Sequence, residues 1–237
     1  SGTWSLMGVE ASAPVISAAS LAANLTNEGG VNGTIRLLKN IMGMWLIEEC
    51  RRAWAHAGRT YAYAELTARA ESAPPFAALI WPGDGRFLAP GDMPARIAAA
   101  CVESGGAAPD GPGGLVRCIL ESLALEYRRV LELIETVQGR GVSVVHVVGG
   151  GSRNALLNQF TANATGRPVI AGPAEATAIG NILVQAVATG HIGSIAEGRA
   201  LLRRVAETAT YTPQDTAAWE DAYGRYKTLV DTFEQVS

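Results

Sequence analysis

The sequence predicts an α/β protein in which a mixed β-sheet carries helices on both faces. Residues 142–148 form a nearly all-apolar, β-branched run, typical of a strand buried on both faces. Three consecutive glycines end this run, and a helical pattern follows them. Apolar residues over 115–137 recur every three and four positions, as on one face of an amphipathic helix. Strands that alternate with such helices favour a layered α/β architecture.

The first 38 residues predict antiparallel strands. Residues 3–10 contain aromatic, Thr and Val residues that are typical of a strand. Residues 25–30 resemble a strand that runs into a turn, and residues 34–38 resemble a further strand. Asn32-Gly33, which separates the last two segments, is a strong hairpin signal. We therefore expect a meander of about three antiparallel strands.

Helices dominate the rest of the chain. The first four are predicted over residues 41–57, 63–72, 93–103 and 115–137, and residues from about 60 to 110 form an inserted loop and helix region. After the strand at 142–148, a helix, a strand at 168–171 and three helices over 175–189, 195–206 and 216–233 follow. This order is that of the ribonuclease-H-like half of an actin-type ATPase. The second half alone also fits a doubly wound parallel sheet.

Composition narrows the possible functions. With 48% hydrophobic and 17% charged residues, the chain has enough apolar sequence for a substantial core. A net charge of −3 predicts no nucleic-acid partner, and no apolar run is long enough to cross a bilayer. Three unclustered cysteines suit a reducing cytoplasm, and Cys101 and Cys118 are expected to be buried thiols. Because the chain begins at Ser1 within strand-like sequence, it is expected to be part of a longer protein.

The glycine turn is the predicted centre of the binding site. Gly149, Gly150 and Gly151 allow close backbone approach to a ligand, and Ser152 or Asn154 is expected to cap the next helix. The free N–H groups and positive dipole end of that helix favour an anion. A nucleotide phosphate or ribose is therefore expected there.

Several segments resemble the C-terminal domain of the FGGY carbohydrate kinases, an actin-like ATPase domain. Residues 148–154 are similar to the nucleotide loop of that family, 117–124 to the long helix before it, and 175–181 to the small-residue helix after it. The family branch that acts on L-rhamnulose is also similar over residues 1–8, 23–30 and 38–43.

The resemblance implies one half of a cytoplasmic sugar kinase, with residues 1–237 as a single C-terminal domain. Such a kinase transfers a phosphoryl group from ATP with Mg²⁺ to L-rhamnulose, giving L-rhamnulose 1-phosphate in rhamnose degradation. Another ketose or a polyol is the alternative acceptor. The family's N-terminal domain, which this chain does not match, carries the general-base aspartate. The chain alone is therefore expected to bind nucleotide but not to phosphorylate sugar, and to have no catalytic or metal-ligating residue of its own.

The resemblance also assigns residues. Thr3, Gly149–Gly151 and Asn154 match nucleotide contacts, although Asn154 alternatively serves only as a helix cap. Glu48 stands where the family tends to have a neutral amide near the nucleotide, and alternatively points to solvent. Asn40 matches a sugar contact, or alternatively is the N-cap of the helix that begins at residue 41.

Two other classes of protein compete with this interpretation. A dinucleotide-binding domain needs Gly-x-Gly-x-x-Gly, but Asn154 stands in place of the third glycine and Glu175 is poorly placed for a ribose. The other is a non-catalytic actin-like nucleotide-binding module. His146 is expected to be a buried group of the strand rather than a catalyst.

Overall fold

The computed structural model describes residues 2–234, and it is an α/β structure with two three-stranded sheets in that part of the chain. The strands are β1 (Trp4–Ala11), β2 (Thr26–Gly29), β3 (Ile35–Met42), β4 (Val145–Val147), β5 (Val169–Ala171) and β6 (Ala209–Tyr211). The helices are α1 (Ala18–Ala22), α2 (Trp45–His56), α3 (Tyr63–Ser72), α4 (Met93–Glu103), α5 (Gly111–Gln138), α6 (Ala155–Thr165), α7 (Ala176–Ala188), α8 (Ile195–Val205) and α9 (Thr216–Glu234).

The first sheet is antiparallel, with β3 between β1 and β2. β1 pairs with β3 from Trp4 opposite Met42 to Ala11 opposite Ile35. The predicted hairpin joins β2 to β3 through a 3₁₀ turn at Val31–Gly33. The three strands are as expected, but their order is not that of a meander. In a meander β1 and β2 would be neighbours, whereas here β3 lies between them and pairs with both.

The second sheet is mixed, since β4 and β5 are parallel and β5 and β6 are antiparallel. The sequence did not predict β6. The expectation that residues 142–148 form a strand buried on both faces was wrong, because the strand spans only Val145–Val147 and none of residues 142–148 is buried. His146 is exposed rather than buried. Within the described chain β4 is an edge strand: it pairs with β5 on one side, and no strand pairs with it on the other.

Helix α5 is the centre of the core. Its 28 residues lie against α3, α6 and α9 and against the first sheet, and residues such as Ile119, Leu123 and Ile134 are fully buried. The hydroxyls of Ser5 in β1 and Tyr127 in α5 lie 2.6 Å apart in this interior and fix the sheet to the helix. The predicted apolar stripe over 115–137 is thus the main packing surface of the protein.

Helix α2 begins later than predicted. Strand β3 runs on to Met42 because it pairs with β1 along its whole length, so the helix starts at Trp45 instead of residue 41. The three cysteines are free and buried, as was expected of Cys101 and Cys118, whose sulfurs lie 3.9 Å apart. Of the helices in the described chain, none combines the length and apolarity that a membrane crossing requires.

Candidate functional site

A cavity of about 700 Å³ lies between the start of β1, helices α2 and α3, and the glycine turn before α6. Its lining residues are Gly2, Thr3, Met44, Glu48, Tyr63, Ala64, Thr67, Ala68, Glu71, Gly150, Gly151, Arg153, Asn154 and Ala155. The structure therefore brings together Thr3, Glu48, Asn154 and two of the three predicted glycines. These residues come from segments up to about 150 positions apart in the sequence.

The Gly2–Thr3 turn is held by the start of α2. The backbone N–H of Met44 donates to the Gly2 carbonyl at 2.9 Å, and that of Trp45 donates to the Thr3 carbonyl at 3.1 Å. Gly43 N–H also donates to the Thr3 carbonyl, at 3.2 Å. These bonds use N–H groups that helix α2 cannot satisfy itself, and they place Thr3 on the cavity wall.

The glycine turn is more elaborate than a direct passage from strand to helix. Gly149 has a φ of 82°, which favours glycine, and its N–H donates to the Pro173 carbonyl at 3.2 Å. Gly150 and Gly151 begin a 3₁₀ turn on the cavity wall. Gly149 is not among the lining residues of the cavity, and its contact with a nucleotide stays a prediction. Among the described residues, no acceptor receives the N–H of Gly150 or Gly151.

Asn154 caps helix α6, which is one of the two roles predicted for it. Its Oδ1 accepts from Leu157 N–H at 2.9 Å. The Ser152 hydroxyl instead donates to the Gly149 carbonyl at 2.8 Å, so Ser152 stabilises the turn and not the helix. Asn154 also lines the cavity, together with Arg153. The positive end of α6 thus lies at the cavity wall, where it favours an anion.

Glu48 forms a cluster with Tyr63 and Arg51, neither of which was among the site residues predicted from the sequence. The Tyr63 hydroxyl donates to Glu48 Oε2 at 2.5 Å, and Arg51 donates to the same oxygen at 3.0 Å. The Arg51 guanidinium lies over the Tyr63 ring, 4.3 Å from its centre. Arg51 is three residues along the same helix from Glu48, a spacing that predicts contact. Tyr63 lies on a different helix, so its contact with Glu48 has no local signal in the sequence.

This cluster shifts the pKa of both partners. The hydrogen bond from Tyr63 lowers the pKa of Glu48, with further lowering from Arg51, against the opposing effect of burial. Burial raises the pKa of Tyr63 to about 12, and its hydrogen bond to Glu48 adds to that rise. At neutral pH the cavity wall therefore carries an ionised carboxylate beside a protonated phenol.

Asn40 does not lie on this cavity. It is an exposed residue of β3, opposite Leu6 of β1. The alternative that Asn40 is a helix N-cap was wrong, because strand pairing continues through it to Met42. Its contact with a sugar stays a prediction.

In the described part of the chain, no group of three or more His, Cys, Asp or Glu residues is arranged to hold a metal ion. In many nucleotide sites Mg²⁺ is bound through one or two carboxylates together with the phosphates of the nucleotide.

An α/β domain with a glycine turn, a helix N-terminus and a threonine around one cavity offers the N–H and hydroxyl donors that a phosphate group would need. The model for the FGGY family of carbohydrate kinases, C-terminal domain, matches residues 1–189. Because that match covers well over half of the chain, the protein belongs to this family.

The similarity to individual relatives extends over more of the chain than the match to the family model does. A rhamnulokinase of Bacteroides thetaiotaomicron is 54% identical over 230 residues, covering 97% of this chain and 47% of the relative. A rhamnulokinase of Enterococcus faecalis is 47% identical over 213 residues, covering 89% of this chain and 42% of the relative. The chain therefore spans about half the length of these relatives.

Solved structures confirm the fold. Xylulose kinase from Rhodospirillum rubrum superimposes with a TM-score of 0.71 at 19% identity, covering 99% of this chain and 46% of that one. Plasmodium falciparum glycerol kinase with ADP superimposes with a TM-score of 0.67 at 16% identity, covering 98% and 46%. The predicted family and the predicted actin-like fold class are both confirmed.

Proposed function

We propose that this chain is the nucleotide-binding half of an ATP-dependent sugar kinase that phosphorylates L-rhamnulose to L-rhamnulose 1-phosphate. The observation that carries the nucleotide part is the shared cavity of Thr3, Gly150, Gly151 and Asn154. The protein would act in the cytoplasm, as part of rhamnose degradation.

In this proposal the phosphates lie against the glycine turn. The unused N–H groups of Gly150 and Gly151 and the start of α6 would donate to phosphate oxygens, and the Thr3 hydroxyl would donate from the opposite wall. Mg²⁺ would enter bound to the phosphates. Catalysis by such a site comes from positioning the nucleotide and from neutralising its charge.

The choice of sugar rests on the relatives. Both relatives described above are named rhamnulokinase, and their identities of 54% and 47% extend over most of this chain. Asn40, on the exposed side of β3, is the residue of this chain that we propose to contact the sugar. The remaining sugar contacts and the general base would come from the N-terminal half of the kinase.

An apolar surface suits contact with that second half. None of the residues of α7 is buried, although the helix is largely apolar, and Ile182 is 64% exposed. Val205 at the end of the neighbouring α8 is 68% exposed. Exposed apolar side chains on two helices that contact each other suit a surface covered by another part of an assembly. We propose that the N-terminal domain covers this surface.

The test is a chimeric kinase in which this chain replaces the matching half of the Bacteroides relative. We expect the chimera to release ADP from ATP with L-rhamnulose and to form the 1-phosphate, measured by coupled ADP assay and mass spectrometry. The isolated chain, tested in parallel, should bind ATP in a calorimetric titration without phosphorylating sugar.

Each part of the proposal has its own contrary outcome. ADP release with another ketose but not with L-rhamnulose would overturn the choice of sugar alone. An isolated chain that binds ATP, in a chimera that phosphorylates no sugar, would indicate a non-catalytic nucleotide-binding module. Failure of the isolated chain to bind any adenine nucleotide would overturn the nucleotide site itself.

A further inference from the structure

Three neighbouring side chains of the first sheet share one exposed face. The register of β1 and β3 sets Trp4 opposite Met42 and Leu6 opposite Asn40. Residues two apart in a strand point to the same face of a sheet, and so do residues directly opposite each other in an antiparallel pair. Trp4, Leu6 and Asn40 therefore lie side by side. Trp4 is 45% exposed and Leu6 is 50% exposed, and Asn40 is exposed as well.

The polar groups on this face are available to a ligand. Among the described residues, no group accepts a hydrogen bond from the indole N–H of Trp4, and none bonds to the side-chain amide of Asn40. The amide both donates and accepts hydrogen bonds, and the indole donates. An aromatic ring with a polar tip, next to an amide and an apolar side chain, suits a ligand that offers C–H groups and hydroxyls together. A sugar is such a ligand.

The exposed face begins beside the proposed phosphate site. Trp4 directly follows Thr3, which lines the cavity that we propose for the nucleotide. Since a strand rises about 3.3 Å per residue, Leu6 lies about 10 Å from Thr3 along β1. A six-carbon sugar whose C1 hydroxyl points towards the phosphates near Thr3 would therefore extend across Trp4 and bring its C6 end to Leu6.

The surface around Leu6 is suited to an apolar C6 group. Leu6 borders a cavity of about 320 Å³, which Gly8 and Leu38 also line. Gly8 lies opposite the buried Leu38 and carries no side chain, so it leaves room next to Leu6 on the same face. A methyl group gains free energy when it is buried against such a surface. A hydroxyl group would instead lose hydrogen bonds to water without gaining a partner from Leu6.

We propose that Trp4 and Leu6 form, together with Asn40, the part of the sugar site that this chain supplies. The Trp4 ring packs against the carbon chain of the sugar, and Leu6 contacts the methyl group at C6. Leu6 is thereby a specificity-determining residue that selects a 6-deoxyketose. This inference rests on the proposed kinase function, and it adds a physical reason for the choice of L-rhamnulose over ketoses that carry a hydroxyl at C6.

The experiment measures kcat/KM of the chimeric kinase for L-rhamnulose and for L-fructose, which differs from L-rhamnulose only by a hydroxyl at C6. We expect the parent chimera to prefer L-rhamnulose by about tenfold or more. Leu6→Asn should bring the ratio of the two kcat/KM values close to one, because the amide can bond to the C6 hydroxyl. Leu6→Met keeps an apolar side chain of similar volume and should retain the parent ratio.

Trp4 has a separate readout. Trp4→Ala should raise the KM for L-rhamnulose about tenfold, because the sugar loses its aromatic contact. The KM for ATP should stay at the parent value, which also shows that the variant is folded. Trp4→Phe keeps an aromatic ring and should lose less affinity for the sugar. Leu21→Asn is the matched control, since Leu21 is 82% exposed on α1, and it should change neither the sugar ratio nor either KM.

Each residue can fail on its own. A parent ratio that Leu6→Asn retains would overturn the role of Leu6, and an unchanged KM for L-rhamnulose in Trp4→Ala would overturn that of Trp4. Equal kcat/KM of the parent chimera for L-rhamnulose and L-fructose would overturn the C6 contact while leaving the proposed kinase function intact. A chimera that phosphorylates no sugar would overturn that function and this inference together.

Discussion

Gly43 supports the cavity wall that contains Thr3. A Cβ at this position would lie 2.7 Å from the Gly2 carbonyl oxygen and 3.0 Å from the Ser5 backbone nitrogen. Gly43→Ala should therefore push the Gly2–Thr3 turn away from α2. We expect a loss of about 1–3 kcal/mol in the free energy of unfolding and weaker ATP binding, measured by denaturant unfolding and calorimetric titration.

Gly224→Ala is the matched control for that substitution. Gly224 is an exposed residue within α9, and a Cβ there would have no neighbour within 4 Å. Alanine is favoured over glycine inside a helix by about 1 kcal/mol, so this variant should be more stable than the wild type. Equal stability of the two variants would contradict the crowding that we assign to Gly43.

Glu121 is a buried acid whose pKa makes stability depend on pH. Burial raises its pKa, although Arg117 at 2.7 Å and the N–H of Phe76 at 2.9 Å act against that rise. A raised folded pKa means that the folded protein binds this proton more tightly than the unfolded chain. The resulting stabilisation is complete below the unfolded value of about 4.5 and is lost as pH rises through the folded value.

We therefore expect the stability of wild type relative to Glu121→Gln to fall as pH rises from 4 to 7, measured by urea unfolding at each pH. Glu220 provides the opposite case, because its hydrogen bond from Arg128 lowers its pKa. The stability of wild type relative to Glu220→Gln should rise over the same range, with a smaller amplitude because Glu220 is exposed. Parallel trends for the two variants would contradict this assignment.

At the scale of the element, helix α6 joins the core to the cavity through its N-cap residue, Asn154. Asn154 caps the helix with Oδ1, and it also lines the cavity. Asn154→Ala should lose about 1 kcal/mol of stability, because the N–H of Leu157 loses its acceptor. Asn154→Asp keeps the cap, since aspartate is an equally good N-cap residue, but it places a negative charge beside the proposed phosphates.

We expect Asn154→Asp to unfold within about 0.5 kcal/mol of wild type while binding ATP about tenfold more weakly. Thermal unfolding and calorimetric titration measure the two effects. Ser194→Ala, which removes the corresponding cap of α8 away from the cavity, should lower stability and leave ATP binding unchanged. Unaltered ATP binding by Asn154→Asp would restrict Asn154 to its structural role.

At the scale of the whole molecule, the exposed apolar side chains of α7 and α8 belong to the surface that we propose the N-terminal domain covers. Ile182→Ser should change the stability of the isolated chain by less than about 0.5 kcal/mol, because the side chain is 64% exposed. In the chimeric kinase the same substitution should lower activity several-fold, measured by ADP release, if the second domain covers this surface.

Leu88→Ser serves as the control, since Leu88 is 56% exposed in the loop before α4 and lies on neither helix. It should leave the activity of the chimera at the wild-type level. Equal effects of the two substitutions would mean that α7 has no special role in the assembly.

The sequence alone determined those elements whose signals are local. The apolar stripe of α5, the Asn32-Gly33 hairpin and the cap at Asn154 all depend on residues within a few positions of one another, and each was predicted correctly. Periodicity, turn geometry and capping depend on residues close together in the sequence, so they can be recognised without knowledge of the tertiary structure.

Only the tertiary structure decided what depends on contacts distant in sequence. The pairing of β1 with β3 moved the start of α2 and placed Asn40 in a strand. The bond from Tyr63 to Glu48 joins two helices, and the N–H of Gly149 donates to the carbonyl of Pro173, which is distant in sequence. No local pattern encodes such contacts, because each forms only when packing around α5 brings separate segments together. The sequence thus predicted the kind of site, and the tertiary structure decided which residues surround the cavity.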